Sequence, residues 1–202
     1  MIKKALLTAV FFIAALPLAS HAQLIIGAGI NTSLNSDLDF KKNGVTETYD
    51  LDTNTASFYI GNKSSSNNRF LIQLDNKKVK IDDFSSYSST AKGLRLDWQF
   101  VYTQAAVKPY WGFGFGFYEL KEAPLLPDES QKGVSFQAMG GVKIDLLKKL
   151  ELDLSLQYQG IVWQDVEVNR YYNSGYYSKW TTEKTSMTSS FFSAGLGLAF
   201  KF

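Results

Sequence analysis

The last ten residues of the sequence alternate between two kinds of side chain, and this alternation limits the fold more than any other feature. Every even position from Ala194 to Phe202 is apolar, whereas the odd positions from Ser193 to Lys201 are small or polar. Successive side chains of a β-strand point to opposite faces, so a period of two predicts a strand with one apolar face. Aromatic residues make up 15% of the chain, and most of them sit in similar alternating segments. The pattern therefore predicts a protein built mainly from such strands.

Eight segments with this alternation can be placed along the chain. The connections between them are long at 32–55, 76–92 and 164–189, intermediate at 119–133, and short at 63–68, 103–109 and 147–149. Short turns at one end and long loops at the other are typical of membrane β-barrels, whose short turns and termini lie on the periplasmic side. The predicted strands are 24–31, 56–62, 69–75, 93–102, 110–118, 134–146, 150–163 and 190–202.

The third segment changes phase near its end. Its apolar residues occupy even positions up to Leu74, but Val79 and Ile81 occupy odd ones. A β-bulge or the exit of the strand from the membrane would explain the change of parity.

Alternation alone fits two opposite barrels, because a soluble lipocalin-like barrel keeps its apolar face inside and a membrane barrel keeps it outside. In the fifth segment four aromatics alternate with Gly112, Gly114 and Gly116. The interior of an eight-stranded barrel is only wide enough for side chains to fill, so glycines suit it and four bulky aromatics do not. We therefore predict an all-β, eight-stranded, antiparallel up-and-down transmembrane β-barrel, with the soluble barrel as the alternative. The four aromatics are Trp111, Phe113, Phe115 and Phe117.

The first 22 residues have the pattern of a secretory signal peptide. Lys3 and Lys4 precede an almost wholly apolar stretch at 5–16, and Ser20-His21-Ala22 forms a small-x-small cleavage site. Cleavage after Ala22 would leave a barrel domain at 23–202. That domain would carry 19 Lys and Arg against 19 Asp and Glu, since the leader holds two of the 21 basic residues. No basic excess indicates a nucleic-acid partner.

The chain is poor in the side chains that most catalytic and metal sites use. It has no Cys, and its single His is His21, within the predicted leader. We therefore expect no catalytic residue, no cofactor and no metal site. The first long connection contains Asp37, Asp39, Asp50 and Asp52, which could bind calcium but are better interpreted as solvated loop charges.

Placing the aromatics outside sends the polar residues of the same strands into the lumen. If residues 147–149 form a three-residue turn, Lys143 lies opposite Asp153 and an ion pair is expected there. Asp145 would then lie opposite Glu151 and would need a cation such as Arg95, or a hydrated position near the periplasmic rim. We interpret these groups as packing polarity inside a narrow barrel. The predicted lumenal polar network is Arg95, Asp97, Gln99, Lys143, Glu151 and Asp153.

The connection at 164–189 is the best candidate for a binding surface. Two β-prone arms flank Asn173-Ser174-Gly175, which predicts a hairpin. Tyr, Ser, Gly and Asn are also the residues of binding paratopes, so the hairpin could contact a ligand or a host surface. Alternatively, its aromatics stack across the hairpin and anchor it near lipopolysaccharide head groups. These aromatics are Tyr171, Tyr172, Tyr176, Tyr177 and Trp180.

With its strands placed, the chain resembles the small eight-stranded outer-membrane proteins of the OmpA, OmpX and opacity-antigen type. The resemblance is strongest at 108–117, which contains the family's Pro-Tyr-x-Gly-x-Gly strand, and at 133–158. The last strand is similar to the closing strand that the barrel assembly machinery reads in this family. Gly197, Phe200 and Phe202 match its pattern, whereas Gly195 stands where a polar residue is usual.

The resemblance implies export through the periplasm to the outer membrane of a Gram-negative bacterium. It implies contacts with outer-membrane lipid, lipopolysaccharide and the assembly machinery, and a host or surface ligand for the loops. Members of such families serve as adhesins, envelope stabilisers or narrow pores. Outer-membrane barrel enzymes generally use a catalytic His, so the resemblance implies a non-enzymatic protein that stabilises the envelope or adheres through its loops. A narrow porin-like channel for small solutes is the alternative.

Overall fold

The computed structural model describes residues 23–42, 44–64, 67–81, 88–103, 106–121, 130–173 and 178–202. The predicted leader at 1–22 lies outside them. Within these ranges no helix is long and apolar enough to cross a membrane. The strands are β1 (Gln23–Lys42), β2 (Val45–Lys63), β3 (Asn68–Ile81), β4 (Ser88–Val101), β5 (Val107–Lys121), β6 (Gln131–Asp145), β7 (Leu150–Trp163), β8 (Val166–Asn173) and β9 (Ser178–Lys201).

The strands form one closed antiparallel barrel. Each of β1 to β6 pairs with the next strand in the chain. β7 pairs with β9, and β9 pairs with β1 to close the ring. β8 continues the line of β7 along β9, because Val162 lies opposite Thr188 and Val166 lies opposite Thr185. β7 and β8 thus occupy one position in the ring, and the predicted eight-stranded barrel is confirmed.

We call the end of the barrel that holds Gln23 and Phe202 the lower end and the opposite end the upper end. At the upper end the strands are longer than the sequence pattern predicted. The expected long first connection is wrong, since β1 reaches Lys42 and β2 begins at Val45. Gly44 in this tight turn has a φ of 82°, which glycine adopts without strain. The hairpin predicted in the last long connection is present as β8 and the first eight residues of β9, although residues 174–177 at its tip lie outside the described residues.

In the lower part of the barrel the apolar side chains of the strands face outward. Phe117 is 60% exposed, and Gly112 and Gly114 lie on the lumenal face of the same strand. A Cβ atom on Gly112 would lie 2.4 Å from the carbonyl oxygen of Trp98, so this face has no room for a side chain there. The soluble-barrel alternative is wrong because it requires these aromatics inside. The apolar belt is the exposed set Leu24, Ile30, Phe58, Leu74, Trp98, Trp111, Phe113, Phe115, Phe117, Val134, Phe136, Leu154, Leu156, Tyr158, Phe192, Leu196, Leu198 and Phe200, with half-buried Leu94 between Leu74 and Phe117.

The change of phase in β3 marks the upper edge of the apolar belt. Odd positions face the lumen from Arg69 to Ile81, and the pairing with β2 and β4 has no register shift. A bulge in β3 is therefore not the cause. Above Leu74 the outward residues are polar, and the inward residues become apolar from Val79, so the strand has left the belt.

The interior above the belt is an ordinary apolar core. A β-bulge in β1 between Ser33 and Asn35 shifts its parity, so that Leu38 and Phe40 point inward. Buried side chains from seven strands pack together there inside the barrel. This lumenal plug consists of Leu38, Phe40, Leu51, Val79, Ile81, Ala91, Tyr118, Leu120, Ile161, Trp163, Met187 and Phe191.

Candidate functional site: the lumen of the barrel

The lower part of the lumen is crossed by a buried ion pair that joins opposite walls. Arg69 on β3 donates two hydrogen bonds to the carboxylate of Glu151 on β7, with N–O distances of 2.5 and 2.8 Å. Both side chains are at most 2% exposed. Sequence analysis selected Glu151 but missed Arg69, although Arg69 lies at a lumenal position of the third predicted strand.

A second ion pair lies on the wall next to the first. β6 and β7 are in the predicted register, so Lys143 lies opposite Asp153, and the two side chains form an ion pair. The Tyr110 hydroxyl donates a hydrogen bond to the other oxygen of Asp153 at 2.9 Å. The ammonium of Lys143 also lies 4.1 Å from the centre of the Tyr110 ring.

The expected like-charge pair of Asp145 and Glu151 is present, but lysines neutralise it in place of the expected Arg95. The two residues are opposite each other in the register. Lys201 lies 2.5 Å from Asp145 and 3.7 Å from Glu151, and Lys108 forms an ion pair with Asp145. Arg95 takes no part, because it lies in a separate group higher in the lumen.

That higher group is centred on Arg95, which is 3.2 Å from both Asp75 and Asp97. Ser57 and Gln73 donate hydrogen bonds to Asp75 at 2.7 and 2.9 Å, and Tyr118 donates to its second oxygen. The Asp97 carboxylate accepts a hydrogen bond of 2.6 Å from the Gln137 amide. Asp75 was missed in the sequence because it stands at the end of the predicted third strand.

The predicted lumenal network is thus divided into two layers. Arg95 and Asp97 belong to the upper ionic layer, and Lys143, Glu151 and Asp153 belong to the lower one. Among the described residues, Gln99 makes no hydrogen bond to a carboxylate of either layer. Its amide nitrogen lies 3.5 Å from the sulfur of Met139, and its amide oxygen has no partner among the described residues.

A small polar cavity lies between the two layers. Its lining includes Arg95 and Asp97 from the upper layer and Tyr110 and Asp153 from the lower one, and its volume is about 30 Å³. A water molecule needs roughly 10–15 Å³ of such space, so about two waters fit. Gln99, whose amide oxygen is unpaired, also lines this cavity.

Lys77 joins the upper ionic layer to the lumenal plug. Its ammonium donates a hydrogen bond to Gln159 at 2.6 Å and lies 3.6 Å from the centre of the Phe191 ring. Gln159 in turn donates to the hydroxyl of Tyr118, which also contacts Asp75. Sequence analysis did not select Lys77, although its odd position in β3 places it on the lumenal face.

The remaining predicted site residues lie at the two ends of the barrel. The register of the upper hairpin places Tyr171 opposite Trp180 and Tyr172 opposite Lys179, whereas Tyr176 and Tyr177 lie outside the described residues. At the lower end Gly197 faces the lumen, and Phe200 and Phe202 are exposed on the outer surface. The described residues contain no group of three or more His, Cys, Asp or Glu side chains that could hold a metal ion.

Breaking the Arg69–Glu151 pair should strongly destabilise the barrel. Arg69→Met leaves a buried carboxylate whose nearest remaining cation is Lys201 at 3.7 Å, and loss of one partner of a buried pair costs about 3–5 kcal/mol. The double variant R69M/E151L should recover most of that loss, because no uncompensated charge remains. Urea unfolding in neutral detergent micelles measures both.

The matched control is the exposed pair between Lys184 and Asp165, whose side chains are 68% and 42% exposed. D165N should cost less than about 1 kcal/mol, because water screens the pair. Equal free energies of unfolding for R69M and D165N would contradict a structural role for the buried pair.

The chain is similar in fold to solved outer-membrane barrels. The outer membrane protein OprG from Pseudomonas aeruginosa has 14% identity and a TM-score of 0.50, covering 90% of this chain and 95% of its own. Neisserial surface protein A (NspA) has 15% identity and a TM-score of 0.48, with coverages of 89% and 97%. Ail, the attachment invasion locus protein of Yersinia pestis, has 13% identity and a TM-score of 0.43, with coverages of 90% and 99%. No protein-family model and no curated protein matches the sequence.

At these identities the similarity concerns the fold. It agrees with the closed antiparallel ring, the polar lumen and the outward apolar belt. An exposed belt of this kind is the surface that a spanning barrel presents to lipid. The chain therefore has the fold of the small eight-stranded outer-membrane β-barrel proteins.

Proposed function

We propose that this chain is a non-enzymatic integral outer-membrane protein in which a closed barrel anchors an interaction surface outside the cell. The observation that carries the proposal is the filled lumen, in which two ionic layers are capped by an apolar plug. The space left between the layers is about 30 Å³, which holds about two waters. A lumen filled in this way favours a role as a membrane anchor over a role as a channel.

The absence of catalysis is part of the proposal. Each carboxylate of the two ionic layers lies within 4 Å of a lysine or an arginine, and these pairs are held by neighbouring hydrogen bonds. Carboxylates held in ion pairs, three of them at most 1% exposed, are poorly suited to act as a general acid or base toward an external substrate, because the reacting proton must be within hydrogen-bond reach.

The interaction surface is the part of the strands that extends above the apolar belt. β1 continues for about ten residues past Thr32, which corresponds to roughly 30 Å of strand. β8 and the upper part of β9 form a second extension, with eight cross-strand pairs. Cross-strand pairing holds the backbone of both extensions in a fixed arrangement, which supports a role in binding a surface or a ligand.

We also propose the route by which the chain reaches this location. The leader at 1–22 would direct export, and Gly197, Phe200 and Phe202 would form the signal for the barrel assembly machinery. Phe200 and Phe202 are exposed on the outer surface at the lower end, and the Phe202 N–H donates to the carbonyl of Leu24 at 2.9 Å. This contact supports a role for the last residues in closing the ring.

A narrow pore is the second candidate, and the polar lining of the lower lumen favours it. The lumenal plug argues against it, because a conducted ion would have to displace packed side chains such as Trp163 and Phe191. Refolded protein in a planar lipid bilayer should therefore produce no stable conductance steps. The same sample must shift its gel mobility on heating, which establishes that the barrel is folded. Reproducible steps of uniform size from such a sample would contradict the closed anchor.

Shortening the β8–β9 hairpin should abolish adhesion without unfolding the barrel. Asn169 lies opposite Thr182, so an Asn-Gly turn can replace residues 170–181 and preserve the register. Bacteria that display this variant should adhere to a cultured epithelial monolayer no better than bacteria without the protein.

The control shortens the other hairpin by replacing residues 42–45 with Asn-Gly between the paired residues Lys41 and Thr46. It should retain adhesion and the heat-induced mobility shift. Unchanged adhesion after shortening β8–β9 would contradict the adhesive role and would leave envelope stabilisation as the function of the anchor.

A further inference from the structure

Four exposed lysines form an arc on the outer surface of β3 to β6, immediately above the apolar belt. Lys92 lies opposite Asn76 on one side and Glu119 on the other, and Glu119 lies opposite Lys132. One row higher, Thr90 lies between Lys78 and Lys121. We call Lys78, Lys92, Lys121 and Lys132 the lysine arc.

The row directly beneath the lysine arc is wholly apolar. Leu74, Leu94, Phe117 and Val134 lie side by side in the register of the same four strands. Three of them are more than half exposed on the outer surface. A cationic row above an apolar row is complementary to an anionic lipid, whose charged head group lies above its acyl chains.

The described part of the chain offsets only part of the charge of the lysine arc. Glu119 is the one carboxylate in its two rows, and no ion pair within the described ranges involves any of the four lysines. On β2 and β1 the same two rows carry no charge. The row of Lys78 continues to Asn54 and Thr32, and the row of Asn76 continues to Ala56 and Ile30. The cationic surface is thus confined to one side.

We propose that the lysine arc binds the phosphate groups of the phosphorylated glycolipid in the outer leaflet, with the acyl chains against the apolar row below. Lysine ammonium groups are compact point charges that bind phosphate. The two lysines of each row lie on alternate strands, about 10 Å apart across the sheet. The same rows are uncharged on β1 and β2, so the lipid binds on β3 to β6. This inference rests on the proposed location of the barrel in the outer membrane.

The test compares two lipids that differ only in phosphate. Protein refolded in neutral detergent is titrated with bisphosphorylated lipid A and with the same lipid after removal of its phosphates, and bound lipid is counted by native mass spectrometry. The wild type should bind the phosphorylated lipid at least about tenfold more tightly, and added salt should reduce the difference. The variant K78Q/K92Q/K132Q should lose this preference.

Two further variants separate a phosphate site from a general effect of charge. K41Q/K148Q/K149Q removes three exposed lysines elsewhere and should keep the preference. K78R/K92R/K132R should also keep it, because arginine binds phosphate. Equal binding of the two lipids by the wild type would overturn the proposal, as would an equal loss in the control. Tighter binding of a soluble sulfated glycan than of lipid A would also overturn it.

The heat-induced shift in gel mobility distinguishes a failure of the lysine-arc proposal from a failure of the proposed function. A wild-type chain that shows no shift and stays soluble without detergent contradicts the membrane barrel, and the lipid site with it. A folded, detergent-dependent barrel without preference for phosphate contradicts the lysine arc alone.

Discussion

The closed hydrogen-bonded ring of strands is the constraint on which the rest of the structure depends. β1 and β9 are paired from Ile25 opposite Lys201 to Lys42 opposite Thr185, so the sheet has no open edge along the belt. In hydrocarbon every backbone polar group needs a protein partner, and only a helix or a closed barrel provides one. Once the ring is closed with eight strands, alternation assigns one face of every strand to lipid and the other to a narrow lumen.

The narrow lumen explains which polar residues fill it. Glycines on β5 lie against a neighbouring backbone, and the space that remains is crossed by charged side chains long enough to span it. Arg69 and Glu151 bridge β3 and β7, while Arg95 holds two carboxylates from β3 and β4. A buried ion pair is weak evidence for stability relative to an apolar core, but removal of one partner is strongly destabilising. We therefore interpret the two ionic layers as side chains that fill the lumen and hold the strands in one arrangement.

The sequence predicted the features that depend on local periodicity and missed those that depend on contacts across the lumen. The orientation of Trp111 to Phe117 followed from the glycines between them. The pairing of Lys143 with Asp153 followed from a short turn, because few residues separate the two strands. Arg69 with Glu151 could not be predicted in this way, since that contact joins strands on opposite walls and depends on their stagger. The lumenal plug was missed for a different reason. The change of parity at Val79 and Ile81 indicated a bulge or an exit from the membrane, and the structure shows the exit. Periodicity alone did not show that the apolar faces of several strands then turn inward and meet.

Tryptophan fluorescence tests the inside-out barrel most directly, because two tryptophans occupy opposite environments. Trp98 is 45% exposed on the outer surface, and Trp163 is 4% exposed within the lumenal plug. Two variants, each keeping only one of these and carrying Phe at the other three Trp positions, are refolded into bilayers with brominated acyl chains. Trp98 should be strongly quenched by the brominated lipid and weakly by aqueous acrylamide, and Trp163 should be quenched weakly by both. Stronger quenching of Trp163 than of Trp98 by the brominated lipid, or quenching of Trp98 by acrylamide alone, would contradict the outward apolar belt.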